Sequence, residues 1–362
     1  MKKARAIAFY LPQFYPTPEN DEWWEPGFTE WTNVTRSTPL FKGHYQPRIP
    51  RDLGFYDLRV PETREKQAKL AKEAGIEGFC YWHYWFGSGK RLLDQVFREV
   101  VESGKPDFPF CLCWANHSWY AKTWDPYKPD RLLVEQTYPG EQDYIDHFHA
   151  MLPAFKDDRY IKVNGKLLFG VFEPKDFNDI KLFKETWNRL AKENGLGGFC
   201  FFAYCQSARN IKTMDLFKEY DKLTYECLRD LFIHIRSSRK GRLKHRTLFK
   251  FFHTPHIISY DSYMDYALKG FIDNKDLCPC IDPDFDHSPR SAYRGIILHG
   301  STPEKWGKLV NKTCNLLSDK PEEDRLLFIK AWNEWGEGNY LEPDRKWGSA
   351  YLYELSKNIS VN

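Results

Sequence analysis

Eight short apolar runs, alternating with helical patterns from one end of the chain to the other, limit what this sequence can fold into. They are Ala4 to Tyr10, Glu77 to Trp82, Phe108 to Trp114, Leu167 to Phe172, Gly198 to Tyr204, Lys222 to Cys227, Leu277 to Ile281 and Leu326 to Trp332. Short, continuous runs rich in aromatic residues read as strands buried on both faces. Between them, Glu62 to Ala74, Leu92 to Val101, Gln142 to Leu152, Ile180 to Glu193 and Pro303 to Leu316 carry helical spacing. Such alternation calls for a parallel sheet, and eight strands predict a (β/α)8 TIM barrel with elaborated βα loops. An open doubly wound sheet would place a glycine-rich phosphate loop after its first strand, and Tyr10-Leu11-Pro12-Gln13-Phe14 is not one. With no Pro-, Gly- or Ser-rich linker and no short repeat, the 362 residues read as a single domain with a substantial core. Residues 229–274 fit the pattern least and read as an insertion.

The charge balance, 53 Lys and Arg against 50 Asp and Glu, gives no reason to expect a nucleic-acid or anionic-membrane partner. The stretch Arg236 to Arg246 is basic, and a solvated helix-loop surface explains it. No run approaches the roughly 20 apolar residues of a membrane span. Met1-Lys2-Lys3-Ala4-Arg5 opens like a signal peptide, but the apolar stretch behind it ends at Leu11-Pro12-Gln13 with no cleavage site. The nine Cys are scattered, several inside apolar runs, and read as buried thiols of a cytoplasmic protein. No cofactor motif is present. Aromatic residues reach 17%, with 13 Trp, an excess suited to stacking on sugar rings.

In such a barrel, function gathers at the C-terminal ends of the strands. Unusual residues recur there. The first run ends in Tyr10 and Gln13, before a loop carrying Trp23, Trp24, Glu30 and Trp31. The next two end in Trp82-His83-Tyr84-Trp85 and Trp114-Ala115-Asn116-His117, and the following three at Glu173, Tyr204 and Glu226. The seventh ends in Asp282-Pro283-Asp284-Phe285-Asp286, and the eighth in Trp332-Asn333-Glu334-Trp335-Gly336-Glu337. This recurrence predicts a polar cleft with aromatic walls. Tyr10, Gln13, Trp31, His83, Trp85, Trp114, Asn116, Glu173, Tyr204, Asp286, Asn333 and Trp335 are its candidate substrate-binding residues. Plainer roles compete: His83 as a packed side chain, Trp114, Trp119 and Trp124 as core, Glu173 as a helix cap. Asp282, Asp284, Asp286 and His287 have the atoms to hold an ion, but a loop salt bridge with Arg290 is the commoner outcome, and no metal is expected.

Glu334 and Glu337 are the candidate catalytic pair. On a continuing strand, residues three apart would face opposite ways. Gly336 and Gly338 permit a bend that brings both into one pocket. On a helical turn, their Cβ atoms would lie roughly 5–6 Å apart, compatible with retaining glycosidases, whose carboxyls are about 5–5.5 Å apart. Adjacent carboxyls raise each other's proton affinity, which divides them into acid and base. A solvated or helix-capping pair is the plainer alternative.

The segment from Phe328 to Gly338, followed by Tyr340-Leu341-Glu342-Pro343-Asp344, resembles the signature of WbsX-type polysaccharide biosynthesis proteins. These are relatives of glycoside hydrolase family 99, the endo-α-mannosidases and endo-mannanases. Ala8-Phe9-Tyr10-Leu11-Pro12-Gln13-Phe14, Glu22-Trp23-Trp24, Phe28-Thr29-Glu30-Trp31, Tyr81 to Phe86, Trp114-Ala115-Asn116 and Ser288-Pro289-Arg290 look like the same family. The resemblance implies a (β/α)8 barrel working without a metal or other cofactor on a polysaccharide or oligosaccharide. It also implies that Glu334 deprotonates the sugar 2-hydroxyl, which attacks its own anomeric carbon to give an epoxide-like intermediate. Glu337 would protonate the leaving oxygen and then activate water, with net retention on an α-mannoside or α-rhamnoside. The chain departs from the family pattern at His117-Ser118 and at His287, positions that bear on the acceptor side and the sugar. A glycosyltransferase of O-antigen or capsule synthesis is the alternative reading, and a non-catalytic glycan-binding barrel a third.

Overall fold

The computed structural model describes residues 3–122, 129–237, 253–274 and 276–360, so Trp124 and most of the basic stretch lie outside the described residues. The eight strands form where expected: β1 (Arg5–Tyr10), β2 (Gly78–His83), β3 (Phe110–Trp114), β4 (Lys166–Val171), β5 (Phe199–Cys205), β6 (Lys222–Glu226), β7 (Cys278–Ile281) and β8 (Leu326–Ile329). Each pairs in parallel with the next, and β8 returns to β1 in the register Arg5↔Leu326 and Ile7↔Phe328, closing the barrel. Closure leaves no parallel edge, and helices cover the outer face, which is why the strands are apolar on both sides.

Aromatic rings fill the interior. Phe202 of β5 lies 4.8 Å, centroid to centroid, from Phe328 of β8, which lies 5.6 Å from Phe9 of β1. β5 and β8 are not neighbours in the sheet, so Phe202 and Phe328 meet across the barrel. Gly170 on β4 makes the space, since a Cβ there would collide with the Phe202 ring and the Cys113 thiol. Above this layer, Trp82 of β2 stacks on Phe9 at 4.4 Å. All nine cysteines are buried and free.

Helices Pro61–Glu73, Gln95–Ser103, Glu141–Phe155, Ile180–Glu193 and Pro303–Leu317 follow β1, β2, β3, β4 and β7. The stretch read as an insertion supplies the barrel helix after β6. Its helix Tyr260–Asp273 packs against Pro303–Leu317, and a short strand before it, His256–Ser259, pairs with Ile296–His299 outside the barrel. A final helix, Ala350–Ile359, also packs on Pro303–Leu317. Its pattern is short and was not anticipated. The last strand, expected to reach Trp332, ends at Ile329. Beyond it the chain turns into a small hairpin that carries the acids.

Candidate active site

The hairpin pairs Asn333 with Tyr340 and Glu334 with Asn339, antiparallel. A single 3-10 turn, Trp335–Glu337, joins its arms, with Gly338 left-handed at φ +59°. Glu334 stands just before the turn and Glu337 is its last residue, and both line one cavity. Gly336 has to lack a side chain, because a Cβ there would run into the Glu30 carboxylate. Asn333 bolts the hairpin to the end of β1, its Oδ1 accepting from Leu11 N at 2.8 Å and its Nδ2 donating to Leu11 O at 3.0 Å. Trp335 stacks on Tyr340 with centroids 3.7 Å apart and donates to Glu342 at 2.6 Å. From the β7 loop, the Asp286 amide donates to the Glu337 carbonyl at 2.6 Å.

Both acids open into a cavity of about 260 Å³ at the C-terminal mouth, bounded by Gln13, Glu30, Trp82, Tyr84, His117, Trp119, Phe172, Arg290 and Lys330. Glu30 reaches it because Thr29 caps helix Glu30–Arg36 and fixes Glu30 in the first turn. Arg290 pairs with Glu30 at 3.0 Å and with Glu337 Oε1 at 2.5 Å, and Lys330 lies 3.3 Å from Glu337 Oε2. Trp82 Nε1 donates to Glu334 Oε1 at 2.8 Å.

This environment separates the two protonation states. Burial and then the charge of Glu337 push the Glu334 carboxyl up to about 7, against Lys330, Arg290 and the Trp82 hydrogen bond. Burial alone would raise Glu337 too, but Lys330 and Arg290 override it and hold it well below the usual carboxylate range. Charge counting agrees: with Glu334 protonated, Glu30 and Glu337 balance Arg290 and Lys330. Behind Lys330, burial raises Glu226, and it brings Asp282 up to about 8. The buried ammonium thus faces four acids, of which Glu337 is the one held below its ordinary value.

Of the expected substrate-binding residues, Gln13 lines this cavity. Glu173 and Tyr204 line a neighbouring hollow. The others are turned away from both hollows and hold the frame. Tyr10 faces outward and donates to Gln67 at 2.7 Å. Trp31 donates to the Tyr56 carbonyl. His83 meets His147 at 2.7 Å, and burial lowers it to about 3. Trp85 donates to Asp143, and Trp114 to the Trp85 carbonyl. Asn116 clamps the Glu173 backbone at both its N–H and its carbonyl. Asn333 and Trp335 are fully buried in the hairpin contacts described above. Asp286 is cradled by His44 at 2.7 Å and Gln46 at 2.6 Å. Burial would raise Asp286, but the His44 hydrogen bond and Arg48 bring it down to about 2. The expected loop salt bridge forms with a different cation, since Asp284 pairs with Arg48 while Arg290 serves the acids. Asp282 is taken by Tyr263 and Asn339.

Sequence reasoning passed over Trp82, Arg290 and Lys330. Two of them, Trp82 and Lys330, carried a signal. Trp82 shares a strand face with Cys80, which is level with Phe9, and Lys330 follows a fully buried strand directly, where a cation needs an anion.

Solved structures share this fold. A glycoside hydrolase-like protein superposes with a TM-score of 0.61 at 13% identity, covering 99% of this chain and 94% of that one. The family 99 endo-α-mannosidase of Bacteroides thetaiotaomicron does so with a TM-score of 0.55 at 12% identity, covering 98% and 96%. Among curated proteins, the uncharacterized protein WxcX of two Xanthomonas campestris pv. campestris strains is 34% identical over 352 residues, 96% of this chain and 48% of WxcX. The chain spans about half the length of these relatives. A family model described as Glycosyltransferase WbsX matches residues 6–355, and the chain belongs to that family.

Proposed function

We propose that this protein is a retaining glycan hydrolase acting on an α-linked mannose- or rhamnose-type surface polysaccharide. The observation that carries the reading is a pair of neighbouring carboxyls in one cleft whose proton affinities are driven apart. One takes the proton of the sugar 2-hydroxyl as that oxygen bonds to its own anomeric carbon. The other gives a proton to the departing glycosidic oxygen as its bond to the anomeric carbon breaks. Water then opens the resulting ring with the transfers reversed, so configuration is retained.

Resemblance makes Glu334 the base and Glu337 the acid, whereas the field of the surrounding protein groups leaves the proton on Glu334. The two divisions are separable. With a substrate whose leaving group needs no proton, the variant lacking the acid recovers its bond-breaking step and the variant lacking the base does not. Glu334→Gln and Glu337→Gln, assayed on an activated and an unactivated α-mannoside, decide it. Wild-type-like turnover of an unactivated glycan by Glu337→Gln ends the proposal altogether.

The family's description favours transfer from a nucleotide sugar as the second reading. Such an enzyme needs a nucleotide-sugar site, typically a phosphate-binding helix N-terminus or an open acidic pair for a metal, and Asp282-Pro283-Asp284 is the sequence feature nearest to the second. Both carboxylates there already have protein partners, which supports hydrolysis. Calorimetry with nucleotide sugars and manganese distinguishes the two, and tight binding would favour transfer.

A further inference from the structure

A second hollow, about 510 Å³ against about 260 Å³ for the cleft with the acids, lies over the ends of β4, β5 and β6. Phe172 borders both, so a chain of sugars lying across the barrel mouth meets each in turn. Its volume falls in the range of ligand pockets, roughly 300–1,000 Å³. Tyr204 and Phe172, tilted 33° with centroids 5.1 Å apart, give it an aromatic floor next to the acids. Its rim is cationic. Lys175, Arg209 and Arg229 all line it, with His234 beside them.

Among the described residues that line the hollow, two are acids, Glu173 and Asp230. Asp230 is already engaged, its Oδ2 accepting from Ala208 N at 2.6 Å and from the Tyr225 hydroxyl at 2.9 Å. Glu173 is half-buried, with Lys175 and Arg229 as its counter-charges. Among the described residues, Arg229 hydrogen-bonds the Gln206 side-chain oxygen at 3.3 Å, and none of Lys175, Arg209 and Arg229 forms an ion pair within 4 Å. Three permanent cations against two acids, one of them taken, leave guanidinium groups with donors to spare.

We propose that this hollow is a subsite for a sugar residue bearing a negatively charged substituent, one or more units along the glycan from the bond that is cut. The aromatic floor takes the apolar face of the ring, and the rim guanidinium groups bond the anion. Arg suits this task because its planar fork meets a carboxylate or a phosphate with two parallel hydrogen bonds. The proposal rests on the glycan-hydrolase reading for the identity of the neighbouring site, but the binding it describes does not require turnover.

The test titrates three probes into Glu337→Gln by calorimetry at low salt: an α-1,3-linked mannotetraose, its C6-oxidised form carrying uronate carboxylates, and a 6-phosphorylated form. We expect the charged probes to bind at least about tenfold more tightly than the neutral one, the scale of one charge-assisted hydrogen bond. Whichever charged probe binds better identifies the anion. Adding Arg209→Ala with Arg229→Ala, both exposed positions, should abolish the preference, and Lys175→Ala should reduce it. Equal binding of neutral and charged probes, binding of none, or a preference that survives the double substitution overturns the proposal. Cleavage is followed separately with the wild-type protein. A charge preference without cleavage of any probe counts against the hydrolase reading alone, and cleavage without a charge preference counts against the subsite alone.

Discussion

Replacing Lys330 with Met should move both protonation steps of the acid pair to higher pH. The ammonium lies 3.3 Å from Glu337 Oε2. At that distance a unit-charge attraction is worth roughly 5 kcal/mol at an effective dielectric of 20 and about 1.3 kcal/mol in water. The cleft is buried on one side and open on the other, so the loss falls between these limits, or about 1 to 4 pH units at about 1.36 kcal/mol per unit. Lys330 also lowers Glu334, whose value of about 7 should rise in the variant as well. On the proposed mechanism the reactive form of the pair carries one proton, and in the wild type it spans the range from Glu337's depressed value up to about 7. Activity should therefore be level on the acid side and fall above neutrality. In Lys330→Met the acid limb enters the measurable range and the alkaline limb moves up. Carbon-13 NMR titration of glutamate carboxyls reads both steps without a substrate, and Lys330→Gln controls for packing. An alkaline step that stays in place or moves down in both variants refutes the electrostatic account.

Trp82→Phe keeps the ring on Phe9 but removes the donor to Glu334. A hydrogen bond to a charged group is worth roughly 1.5–3 kcal/mol, so the Glu334 titration should rise by about 1 to 2 units, and an unchanged curve would count against the bond. Gly336→Ala forces a methyl group into the Glu30 carboxylate and should cost about 1–3 kcal/mol, seen as a lower urea midpoint together with reduced activity; full stability would show that the hairpin has slack. Asp286 has a folded pKa of about 2, below its unfolded value. Its contribution is present above about pH 4 and lost as pH falls through about 2, at most about 2.5 kcal/mol. Asp286→Asn should flatten the acid side of the stability curve, and an unaltered profile would refute the linkage.

The strands were legible because closure buries both faces, leaving apolar runs with sharp ends. The site was legible by level but not by direction. A residue at a strand end is certain to lie at the barrel mouth, yet neighbours alternate between interior and helix layer. Phe9 and Trp82 point in, while Tyr10 and Tyr81 meet each other outside at 4.5 Å. Reading that alternation would have favoured Trp82 over His83. Arg290 and Glu30 were harder to place, because 260 residues separate them and only closure brings them together. The acid pair was legible because its spacing needs no long-range information, and Gly336 and Gly338 announce the turn.

The tie between Asn333 and Leu11 spans 322 residues. The segment that anchors the acids is thus synthesised well before the acids themselves. A growing chain holds no aligned carboxyls until its eighth strand docks on its first. Regain of the proposed cleavage during refolding would time that docking event, while ellipticity would rise earlier as separate strand–helix units formed.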